Sequence, residues 1–511
     1  MVYLLQPDLH TRRAFLRRSG QLAMTGAALP MALNLAAMGE AAAFNAPAND
    51  YKALVCVFLY GGNDYANTVV TYDDASYDKY STIRGGGAGR SAGGIALAQS
   101  ALAGTLLNPR VAPVDVLGVA RQFALHPEMT GLASLFNAGQ AAVQLNVGPL
   151  VLPLTRPQYN SSDRVSYPRP PQLFSHNDQQ SIWQSSSPEG SKVGWGGNIG
   201  DLAIQSGVNS HATFSCMSIT GNAVFLSGDT ALQYQLSTNG AIKINPATSN
   251  VYGSSAVRNA INALIQQPRS HLLENDYNTV TWRALAAEGL VTAALTEPAP
   301  STIFPTDGLG PQMKMVARLI KGRATLGARR QVFLVSMGGF DLHDNLIRDH
   351  GGLLGKVSAA MTAFYNATLE LGIAKQVTAF TASDFGRTLA SNGDGSDHGW
   401  GGHHLIVGGA VKGQAFYGTP PPVSVGDTKD GAGNYAPTDQ WHVGQGRLLP
   451  STSVDQYAAT LARWFGVADA ELAGILPNIS HFGAAGYPVN LGFMSPSAIN
   501  LMPILNLLLL D

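Results

Sequence analysis

Ala53-Leu54-Val55-Cys56-Val57-Phe58-Leu59-Tyr60, closed by Gly61-Gly62-Asn63-Asp64, is the stretch on which the fold turns. An apolar run of this length with no polar alternation predicts a strand covered on both faces, as in a parallel sheet with helices on each side. Two further runs have the same form, Gln331-Val332-Phe333-Leu334-Val335-Ser336 and Gln376-Val377-Thr378-Ala379-Phe380-Thr381. A fourth, Ala141-Ala142-Val143-Gln144-Leu145-Asn146-Val147, follows a helical stretch from His126 to Ala138. The pattern between Val357 and Ile373 is again helical, so strand, helix and strand alternate. That alternation predicts an α/β sandwich around a mostly parallel sheet.

What ends these strands points to chemistry. The first runs into Gly61-Gly62-Asn63-Asp64, the second into Gly338-Gly339-Phe340-Asp341-Leu342-His343-Asp344-Asn345, and the third into Ala382-Ser383-Asp384-Phe385-Gly386-Arg387. In an open parallel sheet the carboxyl ends of the strands share one edge, and ligands bind in the crevice there. Three separate stretches thus bring Asp64, Asp341, His343 and Asp384 to one place. Carboxylates gathered together repel one another, and a cation relieves the repulsion. His398, His403 and His404 follow soon after the third strand, so with His343 four of the 12 histidines lie at or just beyond two strand ends. Aspartate and histidine without thiolates suit zinc, manganese or a similar divalent ion. Two such ions about 4 Å apart would clamp the attacking and leaving oxygens of a phosphate or sulfate ester. Each residue also has a plainer reading: Asp64 and Asp384 as turn or helix caps, His343 as a hydrogen-bonded surface side chain.

A nucleophile is expected in the segment after Val147. There a proline-rich loop carrying Arg156, Arg164 and Arg169 leads to Leu173-Phe174-Ser175-His176-Asn177-Asp178. Ser175 reads as the N-cap of a helix reaching Trp183, where anions are attracted. It either attacks phosphorus or sulfur as a deprotonated hydroxyl or only caps the helix. Arg387 is the candidate to hold the ester anion by bidentate contacts.

Composition bounds the rest. The 511 residues are 45% hydrophobic and 13% charged, enough to bury a large core, and the formal net charge of -1 leaves no basic footprint for nucleic acid or an anionic membrane. Two cysteines make no disulfide framework, and Cys56 within its apolar run reads as a free buried thiol. At the start, Thr11-Arg12-Arg13-Ala14-Phe15-Leu16-Arg17 precedes a mildly apolar stretch from Leu22 to Leu35 and the small residues Ala41-Ala42-Ala43. This is the form of a twin-arginine export signal over residues 1–43, read by the Tat translocase and leading to the periplasm or outside the cell. The apolar stretch and the C-terminal run Leu505–Leu510 are both too short to span a bilayer, so no membrane span is expected in the mature chain. Residues 44–511 are then the α/β domain. A glycine-rich insertion is expected near 82–120, where no Gly-Lys-Ser/Thr end supports a phosphate loop. A second insertion, of strands and Asn, Ser and Gly turns, is expected near 185–310.

These residues also carry a family resemblance. Gly61-Gly62-Asn63-Asp64, Ser175-His176, Gly339-Phe340-Asp341-Leu342-His343-Asp344-Asn345, Asp384-Phe385-Gly386-Arg387-Thr388 and Asp397-His398-Gly399-Trp400-Gly401-Gly402-His403-His404 resemble the family labelled domain of unknown function 1501. So do Ser453-Val454-Asp455-Gln456-Tyr457 and the helix from Ala459 to Gly466. Members of that family typically carry twin-arginine signals and are placed with the alkaline phosphatase and sulfatase superfamily. The resemblance implies an alkaline phosphatase-like three-layer sandwich and a site of one or two divalent ions (zinc, manganese or calcium) at the strand ends. It implies metal ligands at Asp64, Asp341, His343 and Asp384, a late histidine at His398 or His403, and Ser175 as counterpart of the nucleophile. Two departures stand against it. The superfamily separates its second acid and histidine by three residues, where Asp341 and His343 are separated by one, and it follows the third aspartate with histidine, where Phe385 stands. The function expected is an exported metal-dependent hydrolase of phosphate or sulfate esters, and the alternative is an exported, non-catalytic binding or structural protein that keeps the fold.

Overall fold

Alternate side chains of one strand define the two faces of the molecule. The computed structural model describes residues 50–484 and 486–496, so the stretch read as an export signal and the Leu505–Leu510 run lie outside the described residues. Ten strands form the central sheet: β1 (Lys52–Leu59), β2 (Ala141–Gly148), β3 (Cys216–Ser218), β4 (Tyr234–Ser237), β5 (Gly240–Ala241), β6 (Arg330–Met337), β7 (Val377–Ser383), β8 (Gly402–Gly408), β9 (Ala415–Tyr417) and β10 (Thr452–Ser453). Their order is β9-β2-β8-β7-β1-β6-β3-β4-β5, with β10 paired to β2. All eight residues of β1 are buried, as its unbroken apolar run predicts.

The principal helices are α1 (Asp74–Arg84), α2 (Thr130–Asn137), α3 (His176–Ser185), α4 (Trp195–Gln205), α5 (Ser255–Gln266), α6 (Leu272–Ala294), α7 (Gly310–Lys321), α8 (Leu346–Glu370) and α9 (Val454–Phe465). Ala53, Val55, Val57 and Leu59 of β1 pack in one core with Phe136 of α2, Ile320 of α7 and Val357 of α8. Leu54, Cys56 and Phe58 point the other way, into a second core with Trp183 of α3, Trp195 of α4 and Leu461 of α9. The result is three layers, helices on both faces of one sheet. Each Val or Leu fully buried in these cores contributes about 1.5–3 kcal/mol.

The sheet is mostly parallel, with one reversal that matters for the site. β1 runs parallel to both β6 and β7, with Val55 opposite Phe333 on one side and Ala379 on the other. β8 is antiparallel to β7 and to β2. After β7 the chain folds into a hairpin, Arg387–Ser391 against Ser396–His398, at the carboxyl edge. It re-enters the sheet from that edge and so runs back down it, since a parallel return would need a crossover to the far end. This keeps the residues between Asp384 and His404 at the same edge as the ends of β1 and β6.

Within the stretch read as the second insertion, β3 and β4 extend the sheet beyond β6, while α5 buries no side chain. Cys56 and Cys216 are both free and buried. No helix among the described residues is long and apolar enough to cross a membrane.

Candidate metal centre

The ends of β1, β6 and β7 meet because two glycines let them. Gly61 has φ +116°, and a Cβ on it would lie 2.3 Å from the amide nitrogen of Asp341. Gly62 has φ +82°, and its Cβ would lie 2.3 Å from the ring of Phe385. Any other residue type would push the Asp341 loop or the Phe385 ring away.

Three histidines converge on Asp341 across this junction. His176, the first residue of α3, has Nδ1 2.7 Å from Asp384 Oδ2 and Nε2 3.3 Å from Asp341 Oδ2. His398, on the hairpin, donates from Nδ1 to the carbonyl of Phe174 at 2.7 Å and has Nε2 3.3 Å from Asp341 Oδ1. His343, two residues beyond Asp341, has Nδ1 3.3 Å from Asp397 Oδ1 and Nε2 3.1 Å from Asp341 Oδ1. An oxygen acceptor at each Nδ1 fixes the proton there and leaves Nε2 with a free lone pair. The Nε2 atoms of His343 and His398 stand only 2.9 Å apart. Lone pairs facing one another and a carboxylate at such distances require a proton or a cation among them.

The donor set fits a divalent ion. Ligand atoms of His176, Asp341 and His398 all lie within 4.8 Å of one another, and His343 Nε2 adjoins two of these residues. Among the buried side-chain atoms without a hydrogen-bond partner are His176 Nε2 and Asp384 Oδ1. Histidine backed by carboxylate or backbone carbonyl is the arrangement that orients imidazole ligands in metal sites. Imidazole-rich ligation suits zinc or manganese better than calcium, which takes oxygen donors.

The electrostatics of the donors differ from one to the next. Burial would lift the Asp341 carboxyl, but the hydrogen bond and charge of Arg387 outweigh it and hold the group below the usual carboxylate range. The hydrogen bond that His176 donates to Asp384 raises it above the ordinary imidazole value, against its burial, so a cation at Nε2 would displace a proton there. Burial lowers His398, which keeps its Nε2 lone pair available near neutral pH. Phe385, the departure noted above, stacks with its ring centroid 4.9 Å from His176 and 4.7 Å from His398. It stands as a wall behind two imidazoles.

The other expected site residues go elsewhere. Asp64 caps the short helix Tyr65–Thr68 by accepting from Asn67 N–H and pairs with the fully buried Arg84 at 2.7 Å. It reaches the cluster only through Ser396, whose Oγ donates to Asp64 and receives Arg387 Nε. Arg387 is itself buried, and its guanidinium nitrogens bond to Asp341, to the carbonyl of Gly61 and to Ser396. It holds Asp341. Asp384 is wholly buried behind His176, also accepting from Gly61 N–H and Gln180. His403 is buried with Nδ1 accepting from Asn146 N–H, its ring against Tyr65, and is not brought into the group. Ser175 takes the N-cap position without a side-chain cap bond, and its Oγ donates to Asp178 Oδ2 at 2.9 Å.

His176 is the ligand candidate that the sequence reading passed over, and Asp397 the support. The available signal for His176 was its place at a helix start directly after Ser175. Nothing in its spacing ties it to Asp341.

Residues 51–435 match the model of the family described as "Protein of unknown function (DUF1501)". No curated protein matches the sequence. Among solved structures, a chain from work on the metabolism of multiple glycosaminoglycans by Bacteroides thetaiotaomicron aligns at 11% identity and a TM-score of 0.30, over 83% of this chain and 74% of that one. A likeness that distant carries no argument about activity.

Proposed function

From the premise that the chain belongs to the DUF1501 family, whose description assigns no activity, we propose that it is a metal-dependent hydrolase of phosphate or sulfate esters. The observation that carries this reading is the convergence of His176, His343 and His398 on Asp341, each imidazole anchored at Nδ1 with Nε2 open. One divalent ion, zinc or manganese, is the reading these four donors support. Bound there it would polarise an ester oxygen and favour attack on phosphorus or sulfur.

The protein's own groups supply the remaining parts. Ser175 is assigned the attack: it adjoins His176 in the chain, and its hydroxyl is hydrogen-bonded to the Asp178 carboxylate, an acceptor for the proton it must lose. Asp384 holds the His176 ring, Asp397 that of His343, and Arg387 keeps Asp341 ionised. The side chains of His343 and Asp341 are 40% and 44% exposed, so a substrate can reach the cluster from solvent. Export by the twin-arginine route, through residues 1–43 and the Tat translocase, to the periplasm or beyond is part of the same reading.

The alternative is an exported binding protein that keeps the fold, and one observation favours it: Arg387 has no nitrogen left for an ester anion. One experiment separates the two. Elemental analysis of the purified mature chain should find close to one zinc or manganese per chain, and aryl phosphate or aryl sulfate should be hydrolysed. Ser175→Ala should keep the metal and lose turnover by at least about 10³-fold. Metal without turnover of either ester moves the reading to a binding protein, and no metal after incubation with divalent ions sinks both the ion and the hydrolase.

A further inference from the structure

Arg447 sits on a turn built to aim it. Gly444, Gln445 and Gly446 all have positive φ, +95°, +52° and +73°. The turn closes on itself through Arg447 N–H to the Gly444 carbonyl at 3.0 Å and Val443 N–H to the Arg447 carbonyl at 2.9 Å. Neighbouring segments pin it, with Ala390 N–H on the Gln445 carbonyl, Gly446 N–H on the Val425 carbonyl and the Tyr65 hydroxyl on the Gly446 carbonyl. Arg447 is therefore held from its backbone outward.

Its side chain is fixed against the metal centre. Nε donates to the carbonyl of His398 at 2.7 Å, and the guanidinium carbon lies 5.0 Å from the centroid of the Phe174 ring. Phe174, itself at φ +73°, is the residue whose carbonyl takes the His398 Nδ1 proton. The guanidinium thus rests on one candidate ligand, His398, and on Phe174, the residue that orients it. Nη1 and Nη2 make no hydrogen bond within the described residues. The nearby carboxylate, Asp397, is engaged by His343 and Asn392. Of the other arginines at this edge, Arg387 has each of its three guanidinium nitrogens bonded to a protein oxygen and Arg84 is buried on Asp64.

We propose that Arg447 receives the terminal oxyanion of the substrate, the sulfate or phosphate group of the ester, on its two free N–H edges. The inference rests on the hydrolase reading above. It gives that reading the anion-binding residue that Arg387 is too occupied to be. A planar guanidinium stacked on an aromatic face, with one nitrogen tethered and two free, presents the fork that matches a tetrahedral oxyanion bidentately.

The test uses the full mature chain loaded with zinc, with inorganic phosphate and inorganic sulfate as separate titrants in calorimetry. Arg447→Gln should weaken binding of the preferred anion at least about tenfold. Arg447→Lys, which keeps the charge and loses the fork, should recover only part of it, with zinc content and melting temperature unchanged in both variants. Whichever anion binds more tightly names the ester class. Equal affinity in wild type and Arg447→Gln overturns the assignment and leaves the hydrolase reading standing. Loss of zinc in either variant also overturns it, because Arg447 would then act by positioning His398. If the zinc-loaded wild type binds neither anion at millimolar concentration, the hydrolase reading falls and takes this assignment with it.

Discussion

Two corners of the same sheet edge both hold aspartate and histidine and have opposite chemistry. In one, Asp341 faces His176, His343 and His398, partly exposed, with the Nε2 atoms aimed at one point. In the other, Asp64 and His403 are buried, Asp64 paired with Arg84 and His403 accepting from a backbone amide. The first corner has lone pairs with nothing to receive and the second has its principal polar groups matched. Residue type is equal in the two places, and partner supply differs. A ligand site is recognised by unmet valence held rigid, which aspartate and histidine content alone does not reveal.

The comparison breaks most visibly under Asp341→Ala. This removes the group on which three imidazoles converge, and bound metal should vanish by elemental analysis while far-ultraviolet circular dichroism stays native. The equivalent change in the other corner should do the reverse. Asp64→Ala strands the wholly buried Arg84 and should cost about 3–5 kcal/mol in urea unfolding, with metal content kept in the folded fraction. The pair Asp64→Ala with Arg84→Met, which removes both charges, should recover most of that loss. If Asp64→Ala instead loses the metal at unchanged stability, the two corners are one site.

Finer tests probe the supports. Asp384→Asn turns an amide N–H toward His176 Nδ1 and disturbs its tautomer and angle, so metal affinity should fall about 10–100-fold in a competitive chelator titration. His403 carries the smallest effect and a defined pH signature. Burial pushes its value down to about 3, below the ordinary imidazole range. The fold therefore favours the neutral form, and its contribution is present above about pH 6.5 and lost as pH falls toward 3. In His403→Gln the stability difference between pH 7 and pH 5 should shrink by about 2 kcal/mol. Metal content at pH 7 should not change. A loss of metal at pH 7 would return His403 to the list of ligands.

The sheet was legible in the chain because a strand covered on both faces leaves an unbroken apolar run. Such runs at Ala53, Ala141, Gln331 and Gln376 became β1, β2, β6 and β7 with ends shifted by one or two residues. That Asp341, His343 and His398 would lie together was legible for a related reason, since strand ends at one edge must share a crevice. The short strands β3, β4 and β5 were not, because runs of two to four residues carry too little periodicity to stand apart from turns.

What the sequence determined by itself is local and repetitive: apolar runs, their alternation with helices, and which residues fall just past each strand. Which of those residues have an open valence was decided by the tertiary structure alone. Arg84 lies 20 positions from Asp64 and neutralises it, Arg387 lies 46 from Asp341 and orients it, and His176 meets Asp384 across 208. Hydrogen bonds and ion pairs act over about 3 Å, and nothing in the chain states which distant groups will come that close.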